Sequence, residues 1–200
     1  MANPDINITP VTITTKRLLL RAFKQSDLDD FFEYASVEDV GNNAGWKPHT
    51  SKEETQLILT AFIIDAEVLA IVKKDTNKVI GSIGIHRSWA SDEKDLANLT
   101  SKEIGYVLSK DYWGQGIATE AAQAVIEYCF TALNLEVLTC GHFIDNLRSK
   151  RVIEKCGFAF FKRASYYAKQ LQKEFDTFEY LLTKENWNLP AYQQNTITIS

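Results

Sequence analysis

The sequence predicts a mixed α/β domain: a single central sheet with helices on both faces, without a regular βαβ alternation. Three observations carry that expectation. Apolar periodicities run in the order strand, two helices, several strands, helix, strand, helix, strands, which fits a mixed sheet better than a doubly wound parallel one. One unit, Lys102 to Leu133, reads as strand, glycine-bearing turn and helix in direct succession. The 200 residues, with 45% hydrophobic content, suffice for one well-packed core but are short for two.

The elements follow in chain order. Met1–Pro10 is polar with two prolines and is expected to be a loose lead-in, so that residues 1–13 precede a domain of residues 14–185. Thr14–Ala22 (TTKRLLLRA) reads as a first strand. Ser26 offers an N-cap, Asp27, Asp29 and Asp30 suit the positive end of a helix, and Leu28, Phe31, Phe32 and Ala35 recur at helical spacing. Asn42–His49 carries loop-forming Asn, Gly and Pro. Ser51 with Glu54 is a capping box opening a helix over Lys52–Ile63. Glu67–Lys73 and Lys78–His86 flank Asp75-Thr76-Asn77 as a β-hairpin.

Trp89–Thr100 reads as a surface loop, Lys102–Leu108 as a central strand and Asp111–Gly116 as a turn. Thr119–Leu133 then repeats its apolar residues at helical spacing, and Glu136–Phe143 returns as a strand. Asn146–Cys156 is a helix with a basic face, closed by Gly157. Phe158–Lys162 and Thr177–Leu182 are the closing strands, and residues 186–200 form a tail.

The net charge of -4 argues against a general nucleic-acid binder, which needs a basic face for phosphates. No apolar run reaches the roughly 20 residues that span a bilayer. The N-terminus lacks a signal-peptide layout. Cys129, Cys140 and Cys156 form no CxxC pair and there are only three His, poor material for a zinc site. No metal is expected. The cysteines read as small buried residues of a reducing, cytoplasmic protein.

The strongest chemical signal is Tyr112-Trp113-Gly114-Gln115-Gly116-Ile117-Ala118-Thr119-Glu120-Ala121. Gly114 and Gly116 permit a tight turn and a close ligand approach. The N–H groups of Gly114, Gln115, Gly116, Ile117, Ala118 and Thr119 can then converge on one anion, with a helix N-terminus behind them. No Gly-Lys-Ser/Thr follows, so this is not a P-loop, and the G-x-G-x-A spacing is not a dinucleotide fingerprint. A plain glycine turn before a helix is the competing reading.

These residues resemble the acetyl-CoA signature of the GNAT N-acetyltransferase superfamily, Gln/Arg-x-x-Gly-x-Gly/Ala, with Trp113 standing at the Gln/Arg position. Further blocks resemble the branch of the ribosomal-protein N-terminal alanine acetyltransferases. They are Thr15-Lys16-Arg17-Leu18-Leu19-Leu20-Arg21, Gly81-Ser82-Ile83-Gly84, Glu103-Ile104-Gly105-Tyr106, and Asn146-Leu147-Arg148-Ser149 followed by Glu154-Lys155-Cys156-Gly157-Phe158.

The resemblance implies a mixed sheet whose fourth and fifth strands, here Glu103–Leu108 and Val137–Phe143, part like a V. The pantetheine arm of acetyl-CoA then bonds the main chain of Tyr106, Val107 and Leu108, and an N–H near Leu108 polarises the thioester carbonyl in oxyanion-hole fashion. Glu103 is the candidate general base, with His142 as rival and His86 behind it. Ser149 is the candidate proton donor to the leaving thiolate, because Ile153 occupies the position of the tyrosine that many members use. Asn146 is expected to bond pantetheine or a water; a simple helix cap is the alternative. Arg148, Lys150 and Arg151 are expected at the adenosine phosphates.

Trp46, His49, Trp89, Tyr166 and Tyr167 are candidate acceptor-pocket residues. The resemblance also implies direct transfer in a ternary complex, and it admits a homodimer. Three functional readings follow: a protein N-terminal α-amine acetyltransferase, a small-molecule amine acetyltransferase (polyamine, amino acid or antibiotic), and an acyl-CoA-binding sensor without catalysis.

Overall fold

The computed structural model describes residues 3–187 and 198–199; residues 188–197 and 200 of the predicted tail lie outside them. Nine strands form one sheet: β1 (Thr12–Thr14), β2 (Leu18–Ala22), β3 (Val68–Lys73), β4 (Lys78–His86), β5 (Ser101–Leu108), β6 (Val137–Phe143), β7 (Ala159–Ala168), β8 (Lys173–Thr183) and β9 (Thr198–Ile199). Their order across the sheet is β7-β8-β6-β5-β4-β3-β2-β1-β9. The helices are α1 (Leu28–Ala35), α2 (Glu38–Ala44), α3 (Lys52–Asp65), α4 (Ile117–Thr131), α5 (Leu147–Lys155) and the short α6 (Lys184–Trp187).

Helices on both faces make two cores, and the strands show it. Leu69 and Ile71 of β3 join α4 in one cluster, while Val68, Ala70 and Val72 join α1 and α3 in the other. A strand buried on both sides loses the apolar–polar alternation and reads as a continuous apolar run, as Val68–Val72 does. Helix α4 buries Ala121, Ala122, Val125, Ile126, Cys129 and Phe130 against the first cluster.

Every pairing is antiparallel except β5 with β6, among the described residues. That parallel pairing covers only Ser101↔Val137, Lys102↔Leu138 and Glu103↔Thr139, although both strands continue beyond it. The sheet therefore parts after Glu103, between the two strands at which the resemblance implied a parting.

Several local expectations change. Thr14–Ala22 is two strands, not one: the Thr15 N–H donates to Leu18 O at 3.0 Å and Thr15 Oγ1 accepts the Leu18 N–H at 3.0 Å, closing a hairpin without Gly or Pro. The lead-in is not loose throughout, because Ile8 is 1% exposed within the core and its N–H donates to Ala66 O at 3.0 Å. Part of Asn42–His49 is helical, since α2 runs to Ala44 and ends on Gly45 at φ 86°. Ser51 caps α3 as expected, accepting the Glu54 N–H at 3.3 Å, but the Glu54 carboxylate turns to the N–H of Thr50 rather than Ser51. The closing strands extend into a long β7–β8 hairpin.

Ser26 is not a helix cap; the neighbouring Asp27 does the anchoring. Its carboxylate takes both terminal nitrogens of Arg21, at 2.7 and 2.9 Å, and the Lys24 N–H at 2.8 Å. The two side chains are only 7% and 16% exposed. Removing one partner leaves the other charge buried and unpaired. Asp27→Ala should therefore destabilise the fold by about 3 kcal/mol, read as a lower denaturant midpoint at unchanged slope. A loss below about 0.5 kcal/mol, the size of an exposed pair, would place this contact among surface ion pairs.

Candidate active site

Where β5 and β6 part, a cleft of about 710 Å³ runs through the sheet from one helical layer to the other. Strand alternation decides which groups reach it. The Ser109 N–H donates to Ile80 O at 2.8 Å, so the main chain of Val107 and Gly105 faces β4. That of Leu108, Tyr106 and Ile104 faces the gap. The expectation for Val107 is thereby corrected: its main chain is spent on β4, and it lines the cleft on the face it shares with Glu103. The Leu108 carbonyl is also taken, by Trp113 Nε1 at 2.9 Å.

The glycine turn opens on the same cleft. Gly114, Gly116, Ile117, Ala118 and Thr119 all line it, whereas Gln115 does not. The Gln115 side chain donates to Asp111 O at 2.9 Å and its carbonyl accepts Arg17 Nη1 at 2.9 Å. Gly114 and Gly116 have φ of 76° and 73°, the left-handed region, and Gly116 is the N-cap of α4. A Cβ at Gly114 would meet nothing within 4 Å. The turn is thus open concave backbone at a helix start, a shape that fits a diphosphate.

Sequence reasoning missed what holds this turn. Glu120, in the first turn of α4, accepts Thr15 Oγ1 at 2.6 Å, the Arg17 N–H at 2.9 Å and Arg17 Nε at 2.6 Å. Burial alone would raise the Glu120 carboxyl, but these donors outweigh it and hold the carboxyl below its usual range. The Thr15–Arg17 corner and the turn are therefore one braced unit.

Helix α5 supplies the other wall. Arg148, Arg151 and Lys155 line the cleft, while Lys150 lies 3.7 Å from Glu154 on the helix surface. The Arg148 guanidinium stacks 4.2 Å above the Trp113 ring. Asn146 lines the cleft but serves as the helix cap: its Oδ1 accepts the Ser149 N–H at 3.1 Å, and its Nδ2 donates to Asn43 O at 3.5 Å. Ser149 Oγ lies 2.8 Å from the Tyr106 hydroxyl, which also donates to Ser149 O at 3.2 Å. Burial pushes the Tyr106 phenol well up, so it stays a neutral donor.

On the opposite side of the sheet stands Glu103, at the last paired rung of β5 and β6. Thr139 Oγ1 donates to it at 3.4 Å, and Thr139 is itself 2.9 Å from Ser88 Oγ. Burial and the neighbouring Glu179 carboxylate raise the Glu103 carboxyl to about 7, against a smaller lowering by Thr139. His142 is engaged at both nitrogens: Nδ1 lies 2.7 Å from the Phe143 carbonyl, which can only accept, and Nε2 lies 3.1 Å from the Tyr180 hydroxyl. It has no lone pair to spare for an amine. His86 lines the cleft near Glu103, its imidazole held below the usual value by burial. Cys140 also lines the cleft, but burial and Glu103 push its thiol well up, so it is no thiolate nucleophile.

Of the five aromatic candidates, Trp46 and Tyr166 line the cleft. His49 is buried against Thr55 Oγ1 at 2.9 Å, Trp89 packs on Phe161, and Tyr167 is exposed. Glu179 and Gly141 line the cleft without having been singled out. Glycines inside strands are the available signal, because they mark close approach of a ligand or side chain.

Residues 17–159 match the Acetyltransferase (GNAT) domain. The probable N-acetyltransferase YjcK of Bacillus subtilis is 47% identical over 138 residues, covering 67% of this chain and 70% of its own. YnaD, an uncharacterised N-acetyltransferase of the same species, is 29% identical over 179 residues, 88% of this chain and 99% of its own. A GNAT-family acetyltransferase crystal structure from Bacillus anthracis superposes with TM-score 0.76 at 25% identity, over 87% of this chain and 99% of its own. Ribosomal-protein acetyltransferases are among further structural neighbours at 20% and 21% identity, a likeness of fold. No helix among the described residues is long and apolar enough to cross a membrane. The chain belongs to the GNAT acetyltransferase family and is an acetyl-CoA-dependent N-acetyltransferase.

Proposed function

We propose that the acceptor is a primary amine of the N-terminal α-amine class, as on a ribosomal protein, and that transfer is direct within a ternary complex. The observation that carries this reading is the place of Glu103: a raised carboxyl at the vertex of the cleft. A base with pKa about 7 is matched to an α-amine at about 7.7–8.0 and poorly matched to a lysine near 10.4. The ribosomal-protein acetyltransferases among the fold neighbours support the same class.

Acetyl-CoA, when bound, supplies an acetyl thioester. The backbone of Gly114, Gly116, Ile117, Ala118 and Thr119 would hold its diphosphate, with Arg148, Arg151 and Lys155 nearby. Tyr106 and Leu108 would offer main-chain groups to its arm. Glu103 takes the proton that the amine loses as the new N–C bond forms. As the C–S bond breaks, the departing sulfur takes a proton from Ser149, and water in the cleft returns a proton to Ser149 as Glu103 gives its own to solvent. Turned from Ser149 O to Ser149 Oγ, the single Tyr106 phenol proton leaves the serine proton free for that transfer.

CoA release with acetyl-CoA and a panel of amines tests the reading. Peptides with free N-termini should turn over and their N-acetylated forms should not. Turnover with spermidine or an aminoglycoside but no peptide would replace this acceptor class with a small-molecule one.

A further inference from the structure

The acceptor half of the cleft has a floor without side chains of its own. Gly84 on β4 pairs directly with Gly105 on β5, and Gly141 on β6 lies two residues past the last β5–β6 rung. By alternation all three face the side on which Glu103 stands, and all three line the cleft. Two of these gaps are filled by titratable groups. A Cβ on Gly84 would come 2.1 Å from His86 Nε2, and one on Gly141 would come 2.5 Å from Glu179 Oε2. A Cβ on Gly105 would lie 3.5 Å from the nearest atom, on His86. The imidazole and the second carboxylate therefore lie flat in glycine notches on either side of Glu103.

Glu179 is held there. It pairs with Gly141 across β6 and β8, and the Thr177 hydroxyl donates to its Oε1 at 2.7 Å. Lys162, its cross-strand partner on β7, is committed elsewhere, to Glu93 and the face of Trp89. The walls above are Trp46, Phe143 and Tyr166. The cationic lining residues Arg148, Arg151 and Lys155 all belong to α5, on the side of the glycine turn. The cleft thus has a cationic end for a phosphate-bearing donor and an anionic end for the acceptor.

Resting on the reading above, we infer that Glu179 is an acceptor-selecting residue: with Glu103 it receives amines whose neighbouring group is uncharged and turns away those carrying an adjacent carboxylate. Amidated or peptide α-amines and alkylamines fit that class; free amino acids do not. A carboxylate beside the amine would be brought against two others in a partly desolvated trough, where like charges cost most.

The pair alanine and alaninamide tests this feature, with the full chain and acetyl-CoA, provided kcat/KM is expressed per neutral amine, because the carboxylate of alanine also raises its own amine pKa. Wild type should favour the amide in kcat/KM by on the order of tenfold or more, the size of one short-range charge contact. Glu179→Gln should bring the ratio to within about twofold while CoA affinity stays unchanged, and Glu179→Asp should restore most of it. Thr177→Val, which only frees the carboxylate, should reduce the ratio severalfold and serves if the Gln variant does not fold. Equal use of acid and amide by wild type, or a ratio that neither Glu179→Gln nor Thr177→Val alters, overturns the proposal. Binding of both ligands to the CoA-loaded protein is titrated alongside. Preference for the amide in binding without any CoA release would keep the anionic acceptor end and remove the proposed reaction; binding of neither would remove both.

Discussion

Replacing Glu103 by Gln should lower kcat by roughly 10²–10³-fold, the range of a lost general base, with CoA affinity nearly unchanged. The substitution keeps the shape at the vertex and removes only the proton acceptor. The pH dependence makes the test sharper. The groups around Glu103 are His86 from β4, Thr139 and Cys140 from β6, and Glu179 from β8. Burial and Glu179 favour its protonated form and Thr139 favours the ionised one, leaving the carboxyl at about 7. Activity should accordingly rise with pH through about 7 as the base ionises, and the residual activity of the Gln variant should lack that limb.

Stability should move the opposite way. The folded state holds this proton more tightly than an unfolded Glu, so the native state loses stability as pH rises from the unfolded value of about 4.3 through the folded value of about 7. At pH 8 the Gln variant, which has no charge to bury, should be more stable than wild type by roughly 1–3 kcal/mol. Parallel pH–stability curves with a retained acid limb would take Glu103 out of the base role.

Gly116→Val should weaken CoA binding by about 30-fold, or about 2 kcal/mol. The position is the N-cap of α4 at φ 73°. Space is not the obstacle, since a Cβ would meet only Arg17 Nη2 at 3.7 Å. The obstacle is the left-handed backbone, which a β-branched residue enters only at a cost of order 1–2 kcal/mol. Relief of that strain would rotate the N–H groups of the turn away from their common focus. Gly114→Ala, at φ 76° with open space around it, carries strain without branching and should lose less. Calorimetric titration with CoA separates the two, and wild-type affinity in Gly116→Val would dissociate the turn from the diphosphate.

What the sequence disclosed, and what it hid, follows the range of the interactions. Lys102–Leu133 was legible because strand, turn and helix there are each written in local chemistry. Gly114 and Gly116 take positive φ and α4 begins at Ile117. Ser51 was legible because a cap acts across three residues. The Thr15–Leu18 hairpin was not, because its turn is closed by a threonine hydroxyl rather than by Gly or Pro. Helix α2 was hidden by Gly41 and two asparagines, poor helix formers; Gly41 is there because Trp46 packs onto it, with a carbonyl 2.7 Å from where a Cβ would stand. Asn146 and Val107 line the cleft, yet their polar groups are spent on a helix cap and on β4. Glu179 and the Glu120–Arg17 brace escaped notice because only the long-range strand register and the return of α4 bring them to the site.

The three rungs that join β5 to β6 have a mechanical consequence. Strands β1 to β5 form one jaw and β6 to β8 the other, fastened at a single end like tongs. A donor lying lengthwise between the jaws supplies the missing crosspieces, so the free energy of its capture is also free energy of holding the protein together. An enzyme fastened in this way should be stiffest when charged with its donor, and amide exchange in β5 and β6 should slow on CoA binding.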